Sequence, residues 1–355
     1  MTTFDPVLVA RVPAAATSPT LTVVDKLIVD NLSYTDELNR PGSAVLSCPV
    51  RGLSSTVQGR LNDLKSFPSE VWIYVDSTLA WAGSVDTWQV QAQTLNINCV
   101  GLLGYTYRMG VTSDLTYTAT DQFTIAKGLV DHWQGLNYGN YGIDTSTVGT
   151  SGVTRDRTYL RNELHNIGQR LAELGAVSNG FDMKVDPSTR KLVLTNPQQG
   201  TDLSASIIFD ERNIDDASVS VSVGPEDLVS DVAATSTATD SAGNNTTLYS
   251  IRTTAGVQSA FGRGWAGISF SDISAQTTLD GHADAYLNAR ATAMVQPGIT
   301  VIPRVGADIG GFTVGDTCTY SYDAGVGVQT LTPRLAKVTV SVDSSGTKRM
   351  KLEFV

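Results

Sequence analysis

A chain of 355 residues has room for two or three domains, and its 41% hydrophobic and 17% charged content fits a globular protein with few long surface helices. Its formal charge of −10, with no basic run longer than Lys348-Arg349, argues against a free nucleic-acid binder. The acidity is compatible with simple solubility and with a wall that repels a passing polyanion. Three scattered cysteines, Cys48, Cys99 and Cys318, form no C-x-x-C pair. They argue against a disulfide framework or a zinc site and are expected in the core. The opening residues lack the parts of a secretory signal, and no apolar run reaches membrane-spanning length, so no membrane anchor is expected.

Residues 20–110 predict a run of short strands. Asn31 to Pro49 reads strand, turn, strand, with Tyr34 and Leu38 facing inward, Thr35, Asp36, Glu37 and Asn39 polar, and Arg40-Pro41-Gly42 breaking the chain. The second strand places Ala44, Leu46 and Cys48 on one face. Val71, Ile73 and Val75 alternate next, then Leu79, Trp81, Gly83 and Val85, then Leu95, Ile97 and Cys99. Gly83 in mid-strand predicts a bulge or a close backbone approach. From Gly110 the period changes. Phe123, Ala126, Leu129, Val130 and Trp133 predict a helix over 121–134, with Thr120 as its N-cap. After a long Gly/Ser/Thr/Asn/Tyr loop, Leu160, Leu164, Ile167, Leu171 and Leu174 predict a helix over 159–174 closed by Gly175. A hairpin turning at Asp186-Pro187 follows. The β pattern returns from 205, with a hairpin tip over 241–245 and one helix over 279–294. Three closing strands are launched by a turn at Gly315-Asp316, and the last hairpin turns at Ser344-Ser345-Gly346.

Two blocks carry a resemblance. The Tyr34, Asp36, Leu38, Arg40, Pro41, Gly42 block and the Trp81-x-Gly83-x-Val85 hairpin resemble the tail-hub proteins of long-tailed, siphovirus-type bacteriophages, also described as tail-associated, minor tail or baseplate-hub-like proteins. The resemblance covers most of the chain and lies in the order of features more than in any single motif. It implies a β-rich α+β fold: two tube-type antiparallel β-barrel domains, at 1–115 and 205–355, with an intervening small α+β domain at 116–204. It further implies a homotrimer at the tail tip that joins a six-fold tube to a three-fold tip and lines the DNA-ejection channel. The neighbours it implies are the distal tail protein, the tape-measure protein and fibre or receptor-binding proteins, with DNA only in passage. The protein would be made in the host cytoplasm and reside in the virion.

Candidate chemistry is sparse. GRGWAG at 262–267 matches G-x-G-x-x-G, but a strand-like segment follows where a dinucleotide site needs a helix. It is expected to be a loop that presents Phe261 and Trp265 to an interface. The pairs Asp215-Asp216 and Glu226-Asp227 are adjacent residues, which on a strand point to opposite faces and so suit solvated turns better than glycoside hydrolysis. His132, His165 and His282 stand alone. No nucleophile elbow, zincin or P-loop pattern occurs, so no enzyme activity and no cofactor are expected. The Leu136–Tyr141 loop, with Tyr138 and Tyr141 on a polar frame, suits either a contact surface or ordinary packing. Two other classes stay open: a receptor-binding tail protein recognising a host glycan, and a cell-wall hydrolase.

Overall fold

A computed structural model of the chain describes residues 3–15, 17–62, 69–215, 228–239, 245–271, 273, 275–290, 298–303, 307–323 and 328–355. The chain packs as two compact units: the first holds 1–172, 182–219 and 298–355, the second 173–181 and 220–297. The boundaries expected at 115/116 and 204/205 therefore both fall inside the first unit, and the expected third block divides between the two.

The first unit is built on a ten-stranded sheet. Its N-terminal strands are β1 (Phe4–Val12), β2 (Thr20–Lys26), β3 (Asn31–Glu37), β4 (Ser43–Pro49), β5 (Ser69–Val75), β6 (Thr78–Gln91) and β7 (Thr94–Gly101), with helix α1 (Ser55–Asn62) between β4 and β5. Alternation fixes the buried face as expected: Ala44, Leu46 and Cys48 are buried on β4, Val71, Ile73 and Val75 on β5, and Leu95, Ile97 and Cys99 on β7. The bulge between β6 and β7 lies at Val85/Thr87, not at Gly83. At Gly83 the close-approach reading holds, because a Cβ there would overlap the Trp81 ring and the Val100 carbonyl.

The middle segment supplies β8 (Leu115–Asp121), α2 (Gln122–Gln134), β9 (Thr154–Tyr159), α3 (Ile167–Gly175), β10 (Asp182–Val185), β11 (Leu192–Thr195) and β12 (Ile208–Phe209). Asp121, not Thr120, caps α2: its carboxylate accepts from Phe123 N at 2.8 Å. The helix expected over 159–174 begins only at Ile167. Its anticipated first turns are instead the end of β9, paired with β8, and a short 3-10 turn, Arg161–Glu163. Leu164 sits at φ 57° and is 90% exposed, whereas Ile167, Leu171 and Leu174 are buried. The helix starts there because Asn166 and Gln169 form a reciprocal cap: Asn166 Oδ1 accepts from Gln169 N at 2.8 Å, and Gln169 Oε1 accepts from Asn166 N at 3.3 Å.

The second unit contains β13 (Asp231–Thr239), β14 (Asn245–Thr253), α4 (Ala255–Phe261), β15 (Trp265–Ser271) and α5 (Gln276–Ala289). Its sheet order is β14-β13-β15, and β15 runs parallel to β13. Val232 and Ala234 pack with Leu279, Ala283 and Leu287 of α5. Helix α5 starts three residues before the expected Leu279, at Gln276, whose Nε2 donates to the Tyr249 carbonyl and to Asp280 Oδ1. The expected end of this helix at Met294, most of the 241–245 hairpin tip, Asp216 and Glu226-Asp227 lie outside the described residues.

The chain then returns to the first unit with β16 (Gly298–Val301), β17 (Thr319–Asp323), β18 (Val328–Leu331), β19 (Leu335–Val342) and β20 (Lys348–Phe354). Strand β19 pairs antiparallel with β3, and β20 and β16 continue outward, giving the order β16-β20-β19-β3-β4-β7-β6-β5-β1-β2. Every pairing in this sheet is antiparallel, and among the described residues its end strands do not pair with each other. The fold is β-rich with few helices, and among the described residues no sheet closes into a barrel. The last strands complete the N-terminal sheet and share one core with it, through residues such as Leu46, Ile73, Val340, Leu352 and Phe354.

Candidate interaction surfaces

The residues of the two signature blocks are mostly structural. Gly42 (φ 67°) ends the turn after β3 and faces the Thr35 carbonyl so closely that a Cβ would overlap it. Pro41 presents its carbonyl to Gly101 with the same closeness. Arg40 reaches Glu37 at 3.4 Å on the surface, a pairing worth little. Leu38 is half-buried, and its N–H donates to Ala336 O at 2.8 Å. Trp81 is 2% exposed. Gly315 (φ 96°) and Asp316 lock two loops together: Asp316 accepts from Thr201 N and Thr313 N, each at 2.8 Å. Arg334 donates to the Gly315 and Gln199 carbonyls and pairs with Asp182.

Tyr138 and Tyr141 part company. Tyr138 is 62% exposed, at φ 61°. Tyr141 is buried, stacked on Tyr105 with ring centroids 4.9 Å apart, and the Arg11 guanidinium lies 5.1 Å from its ring centroid. Tyr141 is therefore a packing residue and not half of a contact loop. Beneath it lies a polar network that sequence reasoning missed. Glu70 is fully buried and accepts from Tyr105 Oη at 2.7 Å, Trp72 Nε1 at 2.9 Å and both terminal nitrogens of Arg190, at 2.9 and 3.2 Å. Arg190 also donates to the Tyr141 and Gly142 carbonyls, so it ties this loop to the sheet. The only sequence signal was a lone glutamate opening an otherwise apolar strand.

Asp36 is the other surprise. Alternation puts it on the same face of β3 as the buried Leu32 and Tyr34, so this carboxylate points inward. It lines two cavities. One, of about 250 Å³, also meets Lys184, Trp81 and Gln199. The other, of about 380 Å³, meets Tyr34, Val338 and Met350. Burial pushes its pKa up to about 6, and the Lys184 charge opposes that rise. The phenol of Tyr34 is pushed up by burial and then by the Asp36 charge.

In the second unit, one face of the sheet packs on α5 and the other is open. On the open face Tyr249 is 63% exposed and Ile251 56%, with Trp265 at 67%. Phe261, at the end of α4, is 66% exposed. Gly262 follows at φ 88°, and β15 begins three residues later, so GRGWAG leads from helix to strand and lacks the strand-to-helix order of a dinucleotide site.

The remaining candidates are quiet. His132 Nε2 accepts from Thr112 N at 3.1 Å, and burial lowers its pKa. His282 packs on Phe270, and His165 precedes α3 instead of lying on it. All three cysteines are free and buried, and burial pushes the thiols of Cys48 and Cys318 up to about 12, far from reactive thiolates. Among the described residues no group of three His, Cys, Asp or Glu could hold a metal ion, and no helix is long and apolar enough to cross a membrane.

No family model matches the sequence, and none of the curated proteins matches it. Solved structures do. A tail protein from Neisseria meningitidis superposes with TM-score 0.61 at 11% identity, over 99% of this chain and 96% of its own. A 43 kDa prophage tail protein from Shewanella oneidensis gives 0.62 at 12%, over 99% and 98%. The chain carries the fold of phage tail proteins. A prophage tail protein from Listeria monocytogenes extends the likeness, with TM-score 0.56 at 12% identity over 98% and 94%. This tail-protein fold is matched from end to end, so both units belong to it.

Proposed function

We propose that the chain is a structural protein of a phage-type tail and that it assembles as a homotrimeric hub at the tail tip. The observation that carries this reading is the end-to-end likeness to three phage tail proteins, each matched over at least 94% of its own length. The open sheet face of the second unit supports it, because a face bearing Tyr249, Ile251 and Trp265 gains most from cover by another chain. In this role three copies surround a channel through which DNA passes, between a six-fold tube and a three-fold tip. The distal tail protein, the tape-measure protein and fibre or receptor-binding proteins are its neighbours, and the protein resides in the virion. No enzymatic step is assigned to it.

Light scattering of the purified protein tests this, followed by negative-stain imaging. A particle of three times the 37.7 kDa chain mass, with three-fold symmetry and a central hole, is the expected result. A monomer that binds whole cells or wall polysaccharide instead favours a receptor-binding protein, the reading that the exposed Tyr138 supports.

A further inference from the structure

The larger cavity beside Asp36 has a one-sided chemistry. Its walls include Val75, Phe312, Val338, Val340 and Met350, and its lining carries two carboxylates, Asp36 and Asp76, with no lysine, arginine or histidine among the described residues. The two acids are not equivalent. Asp76 lies in the exposed turn after β5 and already accepts from Thr3 N at 2.6 Å and Thr3 Oγ1 at 3.3 Å. Asp36 points inward from the core face of β3, and among the described residues nothing donates a hydrogen bond to its carboxylate. Lys184 is the charge that acts on it, and Lys184 lines the other cavity. Asp36 is half-buried, so its carboxylate borders the cavity instead of being sealed within the core.

We propose that this cavity is a binding site for an aliphatic ammonium, the side chain of a lysine presented by a neighbouring protein of the tail. At about 380 Å³ the cavity lies at the small end of ligand sites. Its apolar wall residues suit a four-carbon stem, and the Asp36 carboxylate in its lining suits the charged head. Anions are repelled by both acids. A purely apolar guest leaves Asp36 desolvated and unpaired. The binding itself stands on the cavity; only the bearer of the lysine rests on the proposed structural role.

The test uses the full chain and two probes, Nα-acetyl-lysine methylamide and Nα-acetyl-norleucine methylamide, which keeps the four-carbon chain and lacks the ammonium. The Met350 methyl resonance reports binding. The lysine probe is expected to give a saturable shift, with affinity on the order of millimolar for so small a ligand. The norleucine probe is expected to bind at least about tenfold more weakly, a difference of one charge-assisted contact. Asp36→Asn should bring the lysine probe to the norleucine level, while Asp76→Asn should change its affinity by less than about threefold, as for a screened rim charge. No saturable shift with wild type overturns the proposal, as do equal affinities for the two probes. Because binding is read on the isolated chain, it fails or succeeds independently of the mass measurement that tests the trimer.

Discussion

The two units use similar residues and finish them differently. In the first, a ten-stranded sheet turns its apolar face onto a core that holds Trp81, Phe209, Tyr320, Met350 and Phe354, and loops are tied to the sheet by buried charge at Glu70 and Arg190. In the second, a three-stranded sheet packs one face on a single helix through Val, Ala and Leu, and leaves Tyr249, Ile251 and Trp265 exposed on the other. Strands rich in Thr, Ser and Val can therefore make a self-sufficient core or half of one. The difference lies in whether the second layer is supplied by the same chain.

The contrast can be broken hardest at its polar anchor. Arg190→Ala leaves the fully buried Glu70 without its cation and should cost about 3–5 kcal/mol in urea unfolding, the range for a broken buried pair. A loss below about 1 kcal/mol would show that the loop is held by other contacts. Asp36→Asn should act in the opposite direction. The folded-state pKa of Asp36 is raised to about 6 from 3.8, so the folded chain keeps a proton that the unfolded chain has released. That contribution to stability is fully present below about pH 4 and is lost as pH rises through 6. At pH 8 the asparagine variant should be more stable by up to about 3 kcal/mol, and the gain should vanish toward pH 4. A gain independent of pH would remove the carboxylate as its source.

Smaller effects sharpen the comparison. Trp265→Ser combined with Tyr249→Ser should shift unfolding of the isolated chain by no more than about 0.5 kcal/mol per site, as for surface positions. The same double variant should weaken self-association in light scattering, since exposed aromatics are common interface anchors. Unchanged assembly would move the contact surface elsewhere. Leu164→Ala should be nearly silent, within about 0.5 kcal/mol, while Leu171→Ala costs about 2–5 kcal/mol. Equal costs would restore the long helix that the leucine spacing suggested.

The sequence by itself determined the β-rich class, the inward faces of β4, β5 and β7, the tight approach at Gly83 and the burial of the cysteines. These follow from side-chain period and from the space a Cβ needs, which are local properties. A leucine spacing that continued past its cap misled the helix assignment, although Asn166 and Gln169 carried the correcting signal. Other features were decided only by tertiary structure. Alternation says which side of a strand is apolar but not which strand lies beside it, so the pairing of β19 with β3 could not be read from either segment. The same limit hid two partners of Glu70, Tyr105 and Arg190, which lie 35 and 120 positions away. It also hid the inward turn of Asp36, whose polar neighbours Thr35 and Glu37 made it look like part of a solvated edge until the far end of the chain closed over it.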